Sequence, residues 1–148
     1  MTLSNLDKKI ICKELELNGI KSVILIGSRA RCDENRNSDY DLYVVVSTLM
    51  VLFIYNKIKI KETILKNILG SNVSIMPMTL KRIKSGNDLL LLKTKKQGKT
   101  LSGKDYLSEI TINNIADIST DEIYSYLFSA AYLLIVNFNP FGSIDKKC

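Results

Sequence analysis

The chain is 148 residues long and 46% hydrophobic, and its 21 Lys and Arg against 15 Asp and Glu leave a net charge of +6. That length suits one domain with room for a sizeable core. It contains no His, which removes Ser-His-Asp and Cys-His catalysis and imidazole-bound zinc from consideration. Any chemistry falls to carboxylates, hydroxyls, lysines or a bound hard cation.

In chain order, the first predicted helix runs from about Leu6 to Asn18, with Ser4 as its cap, Asp7 three residues on, and Leu6, Ile10, Leu15 and Leu17 as apolar contacts. The run Ser22 to Ile26 is short, almost continuously apolar and ends at Gly27, the pattern of a buried strand. A polar loop, Cys32 to Ser38, leads to a second strand, Tyr40 to Ser47, rich in Val and Tyr. Thr48 to Tyr55 reads either as more strand or as the start of a helix. A helix is predicted over Lys57 to Leu69, with Ile60, Ile64, Leu65, Ile68 and Leu69 on one face and Gly70 after it. A third strand, Val73 to Met76, is expected to stop at Pro77. Then come a helix near Asp88 to Lys95, a short extended piece at Lys99 to Leu101, and a last helix from Ser119 or Thr120 to about Phe138. Strands alternating with helices predict an α/β (or α+β) fold, a small mixed β-sheet flanked by helices with a C-terminal helix.

Cys12, Cys32 and Cys148 are far apart and form no Cys-x-x-Cys pair, so reduced thiols and a cytoplasmic location are expected. The first residues lack the basic-then-apolar pattern of a signal peptide. The most apolar tract, Ile123 to Phe138, is interrupted by Tyr, Ser and Asn and is shorter than the ~20 residues a spanning helix needs. A soluble protein with no membrane partner is expected.

The chemically informative segment runs from Gly27 to Leu42. Gly27-Ser28-Arg29-Ala30-Arg31 sits where a buried strand turns into a helix. A glycine there permits a tight bend and close approach of a ligand, and Ser28 adds a hydroxyl beside free N–H groups, a geometry that suits phosphate. Ser38-Asp39-Tyr40-Asp41-Leu42 then places two carboxylates at i and i+2 on a strand. They share one face, and like charges that close favour a divalent cation. Alone, the first half is a common turn and the second a pair of solvated acids; the order and spacing together are specific.

Those residues resemble the signature of the nucleotidyltransferase superfamily that includes DNA polymerase β, most closely its small stand-alone members. Gly27, Ser28, Ala30 and Arg31 match, Cys32 stands where a second glycine is common, and Ser38, Asp39, Asp41 and Leu42 match again. Gly98-Lys99-Thr100-Leu101-Ser102-Gly103 is similar to the end of the family's core. The resemblance implies a nucleotidyltransferase-like core over residues 1–107, with 108–148 a C-terminal helical extension of the same domain. It also implies metal-dependent transfer of a nucleoside monophosphate from an NTP, ATP included, with an acceptor oxygen attacking the α-phosphorus in line. Asp39 and Asp41 would be the catalytic metal ligands for Mg²⁺ (or Mn²⁺), two ions in the family scheme, and Gly27, Ser28, Arg29 and Arg31 would hold the nucleotide. Arg31 has a second reading, as the partner of a nearby carboxylate.

One departure bears on activity. The family's third carboxylate lies on a later strand, and the matching stretch here, Asn72 to Pro77, offers Ser74 instead. A neutral hydroxyl is a poor substitute for a charged ligand, so the alternative is a catalytically impaired module that binds nucleotide or a partner. A further alternative is an antitoxin-like modifier of a helical partner protein.

Charge is segregated. Lys81 to Lys104 holds eight basic residues and one acid, whereas Asp105 to Phe138 holds five acids and no Lys or Arg. The basic stretch would draw in a triphosphate or RNA, although without interleaved aromatics RNA is weakly supported; the plainer reading is a solvated helix and hairpin. The last helix is apolar nearly all round, which predicts either packing onto the core or a contact with another chain, a homo-oligomer included.

Overall fold

The computed structural model describes residues 3–35 and 38–137. Ser4 caps helix α1 (Asn5–Glu14) by accepting from the Asp7 N–H at 3.0 Å. The helix is shorter than its predicted span to Asn18, because a turn through Gly19, at φ +101°, delivers the chain into strand β1 (Ile20–Ile26). Ile11 and Leu15 fill the core while Leu6 stays exposed. Helix α2 (Gly27–Arg31) follows β1 directly, and β2 (Tyr40–Val46) returns antiparallel to β1.

Helix α3 (Met50–Leu69) resolves the ambiguous Thr48–Tyr55 stretch as mostly helix. The buried stripe is Ile54, Ile58 and Leu65, so Leu65 is buried as predicted whereas Ile60 and Ile68 are exposed. Strand β3 (Val73–Thr79) runs parallel to β2 and continues through Pro77. The sheet order is β3-β2-β1-β4, so β3 is an edge strand, where a residue without an N–H is tolerated. Helix α4 (Leu80–Ser85), capped by Thr79, had no clear signal in the sequence. Helix α5 (Leu89–Gln97), capped by Asp88, leads into β4 (Lys99–Gly103), which pairs antiparallel with β1. After two short turns comes helix α6 (Thr120–Asn137); the predicted end at Phe138 lies outside the described residues.

The resulting four-stranded mixed sheet is covered on both faces. On one, Val23, Leu25, Leu42, Val44 and Ile75 pack under α1 and α3. On the other, Ile24, Tyr43, Val45 and Met78 pack under α4, α5 and the segment carrying Tyr106, Ile110, Ile112 and Ile118. This two-sided burial explains why the strands read as apolar runs rather than alternating ones. Among the described residues no helix is long and apolar enough to cross a membrane.

Part of the segregated charge is spent within the fold. Glu109 pairs with both Lys84 and Lys104, Arg82 with Asp88, and Lys95 donates to the Ile110 carbonyl and Asn113 side chain. The basic stretch thereby fastens the segment that follows β4 onto the sheet.

Candidate active site

The candidate site is built where β1 ends. Ile26 pairs with Asp41 across the antiparallel ladder, so the first residue of α2, Gly27, faces the Asp41 side chain. Gly27 takes φ +76°, and a Cβ placed on it would lie 2.6 Å from Asp41 Oδ2. Both constraints select glycine: the left-handed backbone costs other residues energy, and the space is already filled by the carboxylate. Asp41 is half-buried beside this bend, and Ser28, also half-buried, follows in the first turn of α2.

Asp39 lies two residues before Asp41 at the entrance to β2 and is exposed. Burial, and next the negative charge of Asp39, push the Asp41 carboxyl above its ordinary value, while Lys93 on α5 acts in the opposite direction. Carboxylate oxygens are the hard donors that a divalent cation takes, and a cation beside these two would oppose both effects. On the neighbouring strand, Ser74 pairs with Asp41 in the parallel β2–β3 ladder, and paired residues there share a face, so the side chain beside Asp41 is a hydroxyl. Among the described residues no group of three or more His, Cys, Asp and Glu side chains converges on one point.

The two arginines of the turn are already engaged. Arg29 donates from Nε and Nη2 to the Ser38 carbonyl, at 3.1 and 2.7 Å, and its guanidinium lies 3.8 Å from the centroid of the Tyr40 ring. Arg31 pairs with Asp33 at 2.9 Å and donates to Gln97 Oε1 at 3.2 Å, linking α2 to the end of α5. Tyr40 in turn donates its hydroxyl to Asp7 on α1 at 2.8 Å, and burial followed by this bond pushes the phenol up to about 12. Neither Lys93 nor the Tyr40–Asp7 link carries a sequence signal, since both depend on elements far apart in the chain. Cys32 ends α2 in the left-handed region at φ 65°, which accounts for the glycine common at that place.

Similarity to known proteins agrees with this arrangement. The family described as polymerase beta, nucleotidyltransferase, matches residues 8–107. A chain of a toxin–antitoxin crystal structure with AMP-PNP is 21% identical, with a TM-score of 0.50 over 90% of this chain and 97% of that one. A chain of a mutant of the toxin–antitoxin MntA-HpeT is 20% identical, also at 0.50, over 87% and 95%. The spectinomycin adenyltransferase AAD(9) from Enterococcus faecialis, solved with ATP and spectinomycin, is 17% identical, with a TM-score of 0.59 over 94% of this chain and 69% of that one. No curated protein sequence matches significantly. With the family match spanning well over half its length, a mixed sheet of the nucleotidyltransferase fold and a glycine–serine bend facing the second of two aspartates, the chain belongs to the polymerase β-type nucleotidyltransferase family.

Proposed function

We propose that the chain binds the triphosphate of an NTP at the Gly27–Ser28 bend and transfers its nucleoside monophosphate to an acceptor in a metal-dependent reaction. The observation that carries this reading is the approach of Asp41 to the bend, so close that a Cβ on Gly27 would meet Oδ2 at 2.6 Å. A phosphate seated on the first turn of α2 would lie beside the two carboxylates that hold its counter-ion.

In this mechanism Asp39 and Asp41 hold a divalent cation, Mg²⁺ or Mn²⁺, which neutralises charge on the phosphate oxygens when bound. Gly27 gives the phosphates access to the backbone, and Ser28 offers a hydroxyl to them. Lys93, whose charge reaches Asp41, adds positive potential on the α5 side of the site. Phosphoryl-type transfer asks the protein for positioning and charge rather than for a covalent catalyst, which suits a chain without His.

The acceptor we favour is a protein. Two fold neighbours are chains of toxin–antitoxin structures, whereas a third was solved with ATP and spectinomycin. A helical partner would also find exposed apolar side chains on α3 (Leu52, Phe53) and α6 (Leu127, Phe128).

A second reading, nucleotide binding without efficient turnover, is favoured by one observation, the pairing of Asp41 with Ser74, a neutral hydroxyl where the resemblance implies an acid. Pyrophosphate release with Mg²⁺ or Mn²⁺ and each NTP separates the two. Release that Asp41→Asn abolishes supports transfer. Nucleotide binding in calorimetry with no release, and release gained in Ser74→Asp, supports the binding module. Absence of both binding and release ends the nucleotide reading.

A further inference from the structure

Arg29 stands at the position where a nucleotide-binding cation is expected, immediately after the Gly27–Ser28 bend. Its guanidinium is turned elsewhere. Nε and Nη2 both donate to the main-chain carbonyl of Ser38, the residue directly before Asp39, at 3.1 and 2.7 Å. The same group lies on the face of Tyr40, the residue directly after Asp39, at 3.8 Å from the ring centroid. Arg29 therefore grips the chain on both sides of Asp39.

The grip closes a ring of contacts around the site. Ser38 is further held by Asn35, its N–H donating to the Asn35 carbonyl at 3.1 Å and its hydroxyl accepting from the Asn35 N–H at 2.9 Å. The Tyr40 N–H donates to the Asn72 carbonyl at 2.8 Å, and the Tyr40 hydroxyl donates to Asp7 at 2.8 Å. On the other side of the ring, the Gly27 bend lies against Asp41. Tyr40 is buried among the α1 and α3 side of the core, whereas Asp39 and Asp41 alternate onto the opposite face. Without Arg29, the carbonyl directly before the exposed Asp39 would lose both of these side-chain donors.

We infer that Arg29 is a positioning residue: by clamping the Ser38 carbonyl and the Tyr40 ring it fixes the Asp39 carboxylate relative to Asp41 and so sets divalent-cation affinity, without itself touching the nucleotide. The inference rests on the proposed reading of Asp39 and Asp41 as cation ligands. It has a specific chemical signature. A phosphate can also be held by the point charge of a lysine, but one carbonyl receiving two N–H groups from a group that also lies over an aromatic ring requires the planar fork of arginine. Lysine should therefore fail to rescue.

The test compares the full chain with Arg29→Lys and Arg29→Ala, using Mn²⁺ alone followed by paramagnetic resonance, ATP titrated with Mg²⁺ or with EDTA, and amide hydrogen exchange over residues 38–41. Both variants are expected to weaken Mn²⁺ binding by about tenfold to a hundredfold, the range for groups that orient metal ligands, and to speed exchange at 39–41. ATP binding in EDTA should be unchanged. If Arg29→Ala does not fold, Arg29→Lys carries the comparison alone. Arg29→Lys with wild-type Mn²⁺ affinity or wild-type exchange overturns the inference. So does a loss of ATP affinity that is equal with and without metal while Mn²⁺ affinity holds, which would make Arg29 a phosphate contact. If the unaltered chain binds neither Mn²⁺ nor Mg·ATP, the nucleotide reading fails, and the cation-affinity inference is overturned with it. In that case, accelerated exchange would support a purely structural clamp.

Discussion

Gly27 concentrates two demands in one residue. In Gly27→Ala, the added methyl would meet Asp41 Oδ2 at 2.6 Å and the backbone would remain at φ +76°. The left-handed conformation alone costs a side-chain-bearing residue about 1–2 kcal/mol. The variant should lose at least that much in urea unfolding and bind no Mg·ATP in calorimetry. Asp41 makes the reverse trade. Its carboxyl is raised by burial and then by Asp39, so the folded state binds that proton more tightly than the unfolded chain. Stability from this group is present below the unfolded value of 3.8 and falls as the pH rises towards the raised folded value. In metal-free buffer Asp41→Asn should therefore melt higher than the parent at neutral pH and should lack its decline just above pH 3.8. Added Mg²⁺ should raise the parent's melting temperature and leave the variant's unchanged. The aspartate–glycine pairing was legible from residue order, because a Gly-Ser turn and an Asp-x-Asp strand have few other ways to meet. The orientation of Arg29 was not, since a guanidinium beside a phosphate turn and one folded back onto Ser38 have the same sequence.

At the scale of the element, α2 ends on a non-glycine residue in the left-handed region, Cys32 at φ 65°. Its exposed thiol accepts from Lys99 Nζ at 3.0 Å, a contact with little protection from water. Cys32→Gly should relieve the backbone cost and stabilise the fold by about 1 kcal/mol in chemical denaturation. Helix α3 allows a second comparison. Ile58 is 0% exposed and Phe53 is 74% exposed on the same helix. Ile58→Ala should cost about 2–5 kcal/mol through the cavity it leaves, and Phe53→Ser less than about 0.5 kcal/mol, both read from denaturant midpoints. The existence of α3 was clear from its periodicity, but the face it buries was not. Counting from Lys57 omits Ile54, which with Ile58 and Leu65 marks the face turned to the sheet. Pro77 misleads for a related reason: it stops a central strand, and nothing local to residues 73–79 reveals that β3 lies at the edge.

Across the whole molecule, the division of charge along the chain becomes a fastening between distant segments. Lys84 and Lys104 converge on Glu109, and hydrogen bonding to Lys104 first, then the two lysine charges, hold its carboxyl below the usual value. A depressed carboxyl contributes stability above its unfolded value of 4.5 that is lost as the pH falls through the lower folded value. Because the two lysines are exposed, salt screens the pairs. Glu109→Gln should lower the melting temperature slightly at neutral pH and low salt, and the difference should vanish both in acid and at about 1 M salt, where the Debye length is about 3 Å.

The amino-acid order alone determined the fold class, the positions of most strands and helices, and the Gly27–Ser28 and Asp39–Asp41 motifs, because periodicity, capping residues and turn glycines act within a few residues of one another. Only tertiary structure decided that it is the Asp41 carboxylate that fills the space at Gly27, that Ser74 stands beside it on the neighbouring strand, and that Arg29 reaches back to Ser38. Those relations arise from strand pairing and from burial on both faces of a sheet, which join residues that the chain itself keeps apart.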